Sequence, residues 1–240
     1  MRQWITRQTT TAVPPPRRAH VSSEAAHETR KRGRRVGGAV PSDVTARLRR
    51  DALSSSMAED QPPTAAKQAI RAQARAARAA FGAHPIHPPA PFVALLDAGA
   101  ALASYRPVRH EADPALLLLA GLDRGARLAL PHVAGRDRPM RFLAWTPMSS
   151  LEPGPFGLQQ PQASAEVLAP DIILTPLVAF DAALNRIGQG AGFYDRAFAE
   201  YPDAKRIGVA YSVQQVPRIH PDLWDVPLDA VITEQGWFER

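Results

Sequence analysis

Apolar and polar positions change character along the chain. Residues 1 to 63 hold neither a helical nor a strand period: Thr9 to Thr11, Pro14 to Pro16, the basic cluster Arg30 to Arg35 and Ser54 to Ser56 follow one another with few apolar residues between. Such a stretch cannot bury enough apolar surface to offset its chain entropy, and it is expected to be disordered. From Thr64 an alanine-rich run continues to Phe81, where Gly82 and the proline-rich segment His84 to Pro91 stop it. Thr64 is placed to cap this helix. Its cations Lys67, Arg71, Arg75 and Arg78 recur at intervals of four, four and three, so they share one face. Spacing alone reads that face as solvated.

Beyond the break, apolar and mixed segments alternate. Phe92 to Ala98 and Pro114 to Leu122 have helical character, whereas Ala101 to Tyr105, Arg127 to Val133, Met140 to Trp145, Asp171 to Phe180, Arg206 to Tyr211 and Ala230 to Thr233 read as strands. Strands separated by helices predict a three-layer α/β domain over residues 64 to 240, its sheet mainly parallel and covered on both faces. Ile172 to Phe180 is apolar almost throughout, as a central strand requires. Met140 to Trp145 follows a Gly/Pro turn and is expected to form an antiparallel edge hairpin with Arg127 to Val133.

Composition supports a packed domain: hydrophobic residues are 45% and charged residues 22% of the 240. Cysteine is absent, which excludes disulfides, a thiolate metal cage and a cysteine nucleophile. The net charge of +6 suggests a polyanion partner until it is divided at Met57. Residues 1 to 56 hold 12 Lys/Arg and 4 Asp/Glu, or +8, and the rest carries 17 and 19, or −2. The basicity belongs to the first segment, which has three readings: an arm that attracts nucleic acid or membrane, an organellar presequence, or a start set too early with Met57 as the first residue. Residues 1 to 23 lack acids and carry four arginines, as a presequence would, but Pro14 to Pro16 interrupt an amphipathic helix. The early start is preferred. No secretory or membrane-spanning apolar run is present in the sequence, and a cytoplasmic protein is expected.

Chemistry concentrates in residues 171 to 195, which run from the buried strand through a glycine-rich loop into a helix starting near Phe193. Ligands of open α/β sheets bind beyond the carboxyl ends of strands, and glycines there let backbone N–H groups close on phosphate oxygens. Gly188, Gly190 and Gly192 match neither the dinucleotide fingerprint nor the Walker A pattern. Arg186 ahead of them offers a cation for phosphate. Phe193, Tyr194 and Asp195 behind them offer two aromatic faces and a carboxylate for a hard cation such as Mg²⁺.

The run Asn185-Arg-Ile-Gly-Gln-Gly-Ala-Gly-Phe-Tyr-Asp195 resembles the signature of the 5-formyltetrahydrofolate cyclo-ligase family, also called 5,10-methenyltetrahydrofolate synthetases, and the likeness extends over residues 64 to 236. The resemblance implies the NagB/RpiA/CoA-transferase-like form of the three-layer fold. It places Lys67 and Arg71 against ATP, together with Arg186, Ile187, Gly188, Gln189, Gly190, Ala191, Gly192, Phe193 and Tyr194. It leaves Arg75 and Arg78 on the solvated face. For the folate it implies Tyr105 and Glu111 in Tyr105-Arg-Pro-Val-Arg-His-Glu111, and with them Phe156, Gln189 and Phe193. Trp224-Asp225-Val-Pro-Leu-Asp229 matches the family's terminal block and sets Asp225 beside Asp195 as the second Mg²⁺ carboxylate. The chain departs from the family pattern with Gln160 where glutamate is common, Phe193 where tyrosine is commoner, and Gln189 where some members carry arginine.

The activity so implied is the ATP- and Mg²⁺-dependent closure of 5-formyltetrahydrofolate to 5,10-methenyltetrahydrofolate, with ADP and phosphate as products, by a monomer needing neither membrane nor nucleic acid. No catalytic nucleophile is implied; positioning and charge neutralisation carry the chemistry. Other residues take plainer readings. Histidines 84 and 87 have no partner at ligand spacing. Trp4, Trp145, Trp224 and Trp237 read as packing or tail residues, Asp229 and Glu234 as structural or exposed, and Asp181 as a cap on the loop after the buried strand. Two rival functions stand beside the cyclo-ligase: a same-fold enzyme acting on another phosphorylated small molecule, and a nucleic-acid-binding protein acting through the arginine-rich tail.

Overall fold

The computed structural model describes residues 63–240 apart from Asp137, and the expectations for the basic extension and for Trp4 lie outside the described residues. Helix α1 spans Pro63–Phe81. It opens one residue before the expected cap: Pro63 takes the first position, where its missing N–H has no intrahelical partner to lose, and Thr64 lies within the first turn. Alanine's high propensity carries the helix. Gly82 closes it in the left-handed region at φ +84°, donating its N–H to the Arg78 carbonyl at 3.3 Å. Helix α2 is Ala90–Ala94, shorter than expected, because the chain turns at Asp97 to Ala100, with the Ala100 N–H on the Asp97 carbonyl at 3.1 Å.

There follow β1 (Ala101–Ala103), α3 (Ala115–Asp123), β2 (Arg127–His132), β3 (Arg141–Ala144), the short ribbon β4 (Glu152–Pro153) and β5 (Gln159–Gln160), and β6 (Ile172–Pro176). After these come β7 (Ala179–Phe180), β8 (Arg186–Ile187), α4 (Phe193–Glu200), β9 (Lys205–Val209), β10 (Ala230–Thr233) and β11 (Gly236–Glu239). Seven strands form one sheet in the order β11-β10-β9-β6-β1-β2-β3, with β6 at its centre. The inner pairings are parallel, and only the edge strands β3 and β11 run antiparallel. The expected edge hairpin of β2 and β3 is therefore present.

Successive residues of the inner strands feed opposite apolar layers. Leu102, Ile172, Leu174, Ile207 and Ile232 join α2 and α3 through Phe92, Leu96 and Leu117, whereas Ala103, Ile173 and Val231 join α4 through Ala197 and Phe198. Burial on both faces explains why these strands read as continuous apolar runs. Gly208 on β9 shows how tight the second layer is: a Cβ there would lie 2.7 Å from both Leu177 Cδ2 and Leu228 Cδ1.

Two strand expectations are revised. Asp171 to Phe180 is not one strand: β6 ends at Pro176, and the chain leaves the sheet to build the β7–β8 hairpin, with the Val178 N–H on the Ile187 carbonyl at 2.7 Å. Strand β11 was not expected. It exists because Gly236, at φ +127°, allows a tight reversal after β10. Among the described residues no helix is long and apolar enough to cross a membrane.

The loop before β10 is tied to β9 by Asp229, whose carboxylate accepts from Arg206 Nε at 3.0 Å and Nη2 at 2.7 Å. Partial burial pushes the Asp229 carboxyl up, but Arg206's hydrogen bonds and charge outweigh this and hold it below its ordinary 3.8. A depressed carboxylate pKa stabilises the fold above the unfolded value and loses that contribution as pH falls through the folded one. The urea midpoint of the wild type should therefore exceed that of Asp229→Asn at pH 6, and the gap should close as pH falls below 3.8. A gap of equal size at pH 6 and pH 2.5 would show that ionisation of Asp229 is not its source.

Candidate anion-binding site

The β7–β8 hairpin is what aims the glycine loop. Asp181 caps its turn, as expected: Oδ1 accepts the N–H groups of Ala183 (3.0 Å) and Asn185 (2.9 Å), and Oδ2 accepts that of Ile219 (2.8 Å). Arg186 then leaves β8 buried, and its Nη2 reaches Asp195 Oδ1 at 2.6 Å across the loop. Its guanidinium also lies 4.9 Å over the Phe198 ring. Burial pushes this guanidinium down, opposed by the charges of Asp195 and Asp225, so the two expected metal carboxylates both lie within the field of one cation.

Gly190 (φ +101°) and Gly192 (φ +68°) turn the loop in conformations that L side chains resist, and Gly192 caps α4. Phe193 meets Phe156 with ring centroids 5.9 Å apart, so two residues expected to line the substrate form one aromatic corner. Phe156 itself is strained, at φ +63°, and well exposed. Tyr194 lies tilted against Phe198, ring centroids 6.2 Å apart, and burial, reinforced by Glu111, pushes its phenol well above the ordinary range.

Helix α1 grips the other side of the site, one cation per turn. Lys67 Nζ bridges Asp222 Oδ2 (2.7 Å) and Asp225 Oδ2 (2.5 Å). Arg71 Nε donates to the Gly188 carbonyl at 3.0 Å, Arg75 Nη2 to Gln189 Oε1 at 2.6 Å, and Arg78 Nη1 to the Leu177 carbonyl at 3.3 Å. The solvated-face reading therefore fails for Arg75 and Arg78. Both are engaged with the chain around the loop, and Arg78 is only 4% exposed. Helical spacing placed four cations on one face without revealing that the face is covered.

Glu111 and Gln189 come together, with Gln189 Nε2 donating to Glu111 Oε1 at 3.1 Å, while Glu111 Oε2 accepts the Val108 N–H at 3.1 Å. Tyr105 is placed differently from its partner Glu111: its ring is in the core, and its hydroxyl is spent on the Ala112 carbonyl. Gln160 is buried and accepts the Val133 N–H at 3.0 Å, a brace between β5 and the end of β2. Trp145 packs in the core, but Trp224 does not: it is 71% exposed at the tip of the loop between Asp222 and Asp225. Asp222 and Arg75 are the residues that sequence reasoning missed. The one signal for Asp222 was its position three residues ahead of Asp225.

Among the described residues no three acidic or histidine side chains converge as a self-sufficient metal cage. Mg²⁺ arriving with a polyphosphate needs only one or two carboxylates, since phosphate and water oxygens complete the octahedron. Asp195 and Asp225 fit that requirement. Each has one oxygen held by hydrogen bonds, and the other accepts none among the described residues.

Fold and site together define an α/β protein whose cation-flanked glycine loop lies beyond the carboxyl edge of a mainly parallel sheet. The profile of the 5-formyltetrahydrofolate cyclo-ligase family matches residues 63–234, and the chain belongs to that family. It is 40% identical over 93 residues to the 5-formyltetrahydrofolate cyclo-ligase of Haemophilus influenzae (36% of this chain, 50% of the relative). To that of Escherichia coli K12 it is 36% identical over 115 residues (45% and 62%). The match thus spans between half and two thirds of these relatives' lengths. The solution structure of Aquifex aeolicus 5,10-methenyltetrahydrofolate synthetase superposes with a TM-score of 0.51 at 27% identity, covering 82% of this chain and 92% of that one.

Proposed function

We propose that the chain catalyses ATP-dependent closure of 5-formyltetrahydrofolate to 5,10-methenyltetrahydrofolate, with residues 64 to 240 as the catalytic domain. The observation that carries this reading is the glycine loop itself, which Arg71 holds at the Gly188 carbonyl and which reaches Glu111 through Gln189, with Arg186 and Lys67 paired beside it to Asp195 and Asp225. A formyl oxygen is a poor leaving group, so direct attack of N10 on the formyl carbon stalls at loss of oxide. Attack of that oxygen on the γ-phosphorus releases ADP and turns the oxygen into part of a phosphate. N10 then bonds to the formyl carbon, phosphate departs with the oxygen, and the N10 proton passes to water.

The protein's task is to align oxygen with phosphorus and to neutralise charge. Lys67, Arg71 and Arg186, with the loop N–H groups of residues 188 to 192, would hold the phosphates. Phe156 and Phe193 would flank the planar ring, and Glu111 would accept hydrogen bonds from the pterin. Asp195 and Asp225 would hold Mg²⁺, which would supply charge neutralisation for the phosphates.

Purified protein with ATP and Mg²⁺ should generate the methenyl chromophore from 5-formyltetrahydrofolate, and omitting ATP or chelating the metal should stop it. Protein starting at Met57 should turn over at the same rate, whereas an activity residing in the basic tail would be lost with it. Absence of product from both proteins would overturn the reading.

A further inference from the structure

We propose that Arg75, Gln189 and Glu111 form a relay that couples occupancy of the glycine loop to binding at Glu111, with Arg75 as a positioning residue. The proposal rests on the functional reading above, which assigns the loop to nucleotide and Glu111 to folate. The Gln189 side chain is the joint: its carbonyl is held by Arg75 at 2.6 Å and its amide donates to Glu111 at 3.1 Å. These three residues come from α1, from the glycine loop and from the segment after β1, so one amide ties three separate elements together.

The relay is confined at both ends. Glu111 is 8% exposed, and its second oxygen is fixed by the Val108 N–H, so its carboxylate cannot follow Gln189 without moving that segment. At the other end Arg75 Nε is buried with no hydrogen-bond partner, so the guanidinium has an unspent donor beside the loop. Between them the loop bends at Gly190, whose φ of +101° lets the backbone next to Gln189 adjust when its N–H groups engage phosphate. Arg71 holds the neighbouring Gly188 carbonyl at 3.0 Å, so a shift of the loop is felt one helical turn along α1 at Arg75. Phosphate binding that pulls the loop inward would set the Gln189 amide against the fixed Glu111 carboxylate, or draw the 108–111 segment with it, and so change the site the second ligand meets.

Coupling of this kind is reciprocal: each ligand changes the other's affinity by the same factor. Calorimetry on the full chain, with Mg²⁺ and a non-hydrolysable ATP analogue bearing an imido bridge, should show each ligand binding about 5- to 20-fold more tightly in the presence of the other. In Gln189→Ala and Arg75→Met that factor should fall to about 1 to 2, and Arg75→Lys, which can still donate to the Gln189 carbonyl, should recover part of it. A purely structural role for Arg75 would lower thermal stability and leave the factor unchanged, and that result would overturn the proposal. Equal affinities with and without the second ligand in the wild type would also overturn it, while leaving the proposed function standing if the chromophore forms. Failure of both ligands to bind would remove the functional reading and the relay with it.

Discussion

Arg186→Met should lower turnover by at least about 100-fold, since it removes the cation proposed above to hold phosphate, whose charge-assisted contacts would be worth about 1.5–3 kcal/mol each. The same variant should lose about 3 kcal/mol of stability, at the lower end for breaking a buried ion pair, because Asp195 keeps some access to water. Most of that cost comes from the carboxylate left behind. Adding Asp195→Asn to Arg186→Met should therefore recover part of the stability, read as the urea midpoint, while turnover stays as low as in the single variant or falls further. A double variant no more stable than Arg186→Met alone would place the cost elsewhere, for instance in the stacking of Arg186 on Phe198.

Phe198→Ala should produce the largest loss of stability outside the ion pair, about 3–5 kcal/mol. Phe198 is 2% exposed, packs in the layer that joins α4 to β6 and β10, carries Arg186 over its ring and meets Tyr194 in a tilted contact. Truncation would leave a cavity under the site and release the Arg186 guanidinium from its support. The denaturation midpoint should drop sharply, and the fraction that remains folded should show a raised KM for ATP. Phe198→Leu, which refills much of the volume without an aromatic face, should recover most of the midpoint and little of the KM. Recovery of both by leucine would mean that packing alone, without the cation–π contact, orients Arg186.

The chain's local pattern determined the layers. Alanine-rich helix α1, the apolar runs of the inner strands and the β2–β3 edge hairpin were legible because helix propensity and two-sided burial leave their mark in a few consecutive residues. The glycine loop and its flanking Arg186, Phe193 and Asp195 were legible for a similar reason, since they are neighbours in sequence. What the sequence could not determine is which side chains from distant segments meet. Lys67 lies 155 residues from Asp222, and Arg75 lies 114 from Gln189.

The cations of α1 illustrate the difference. Spacing put Lys67, Arg71, Arg75 and Arg78 on one face, and a charged face is solvated by default. Tertiary packing laid the 177–192 and 222–225 segments over that face instead, and desolvated cations must then find acceptors, which these two segments supply. Tyr105 went the other way: the family likeness grouped it with Glu111, but the core took its ring and the Ala112 carbonyl its hydroxyl. Sequence alone thus determined most inner strands of the sheet, the β2–β3 hairpin, the loop and the family likeness, through interactions that are local or periodic. Only the tertiary structure decided the partners of each charge, because ion pairing depends on distances that chain spacing does not encode.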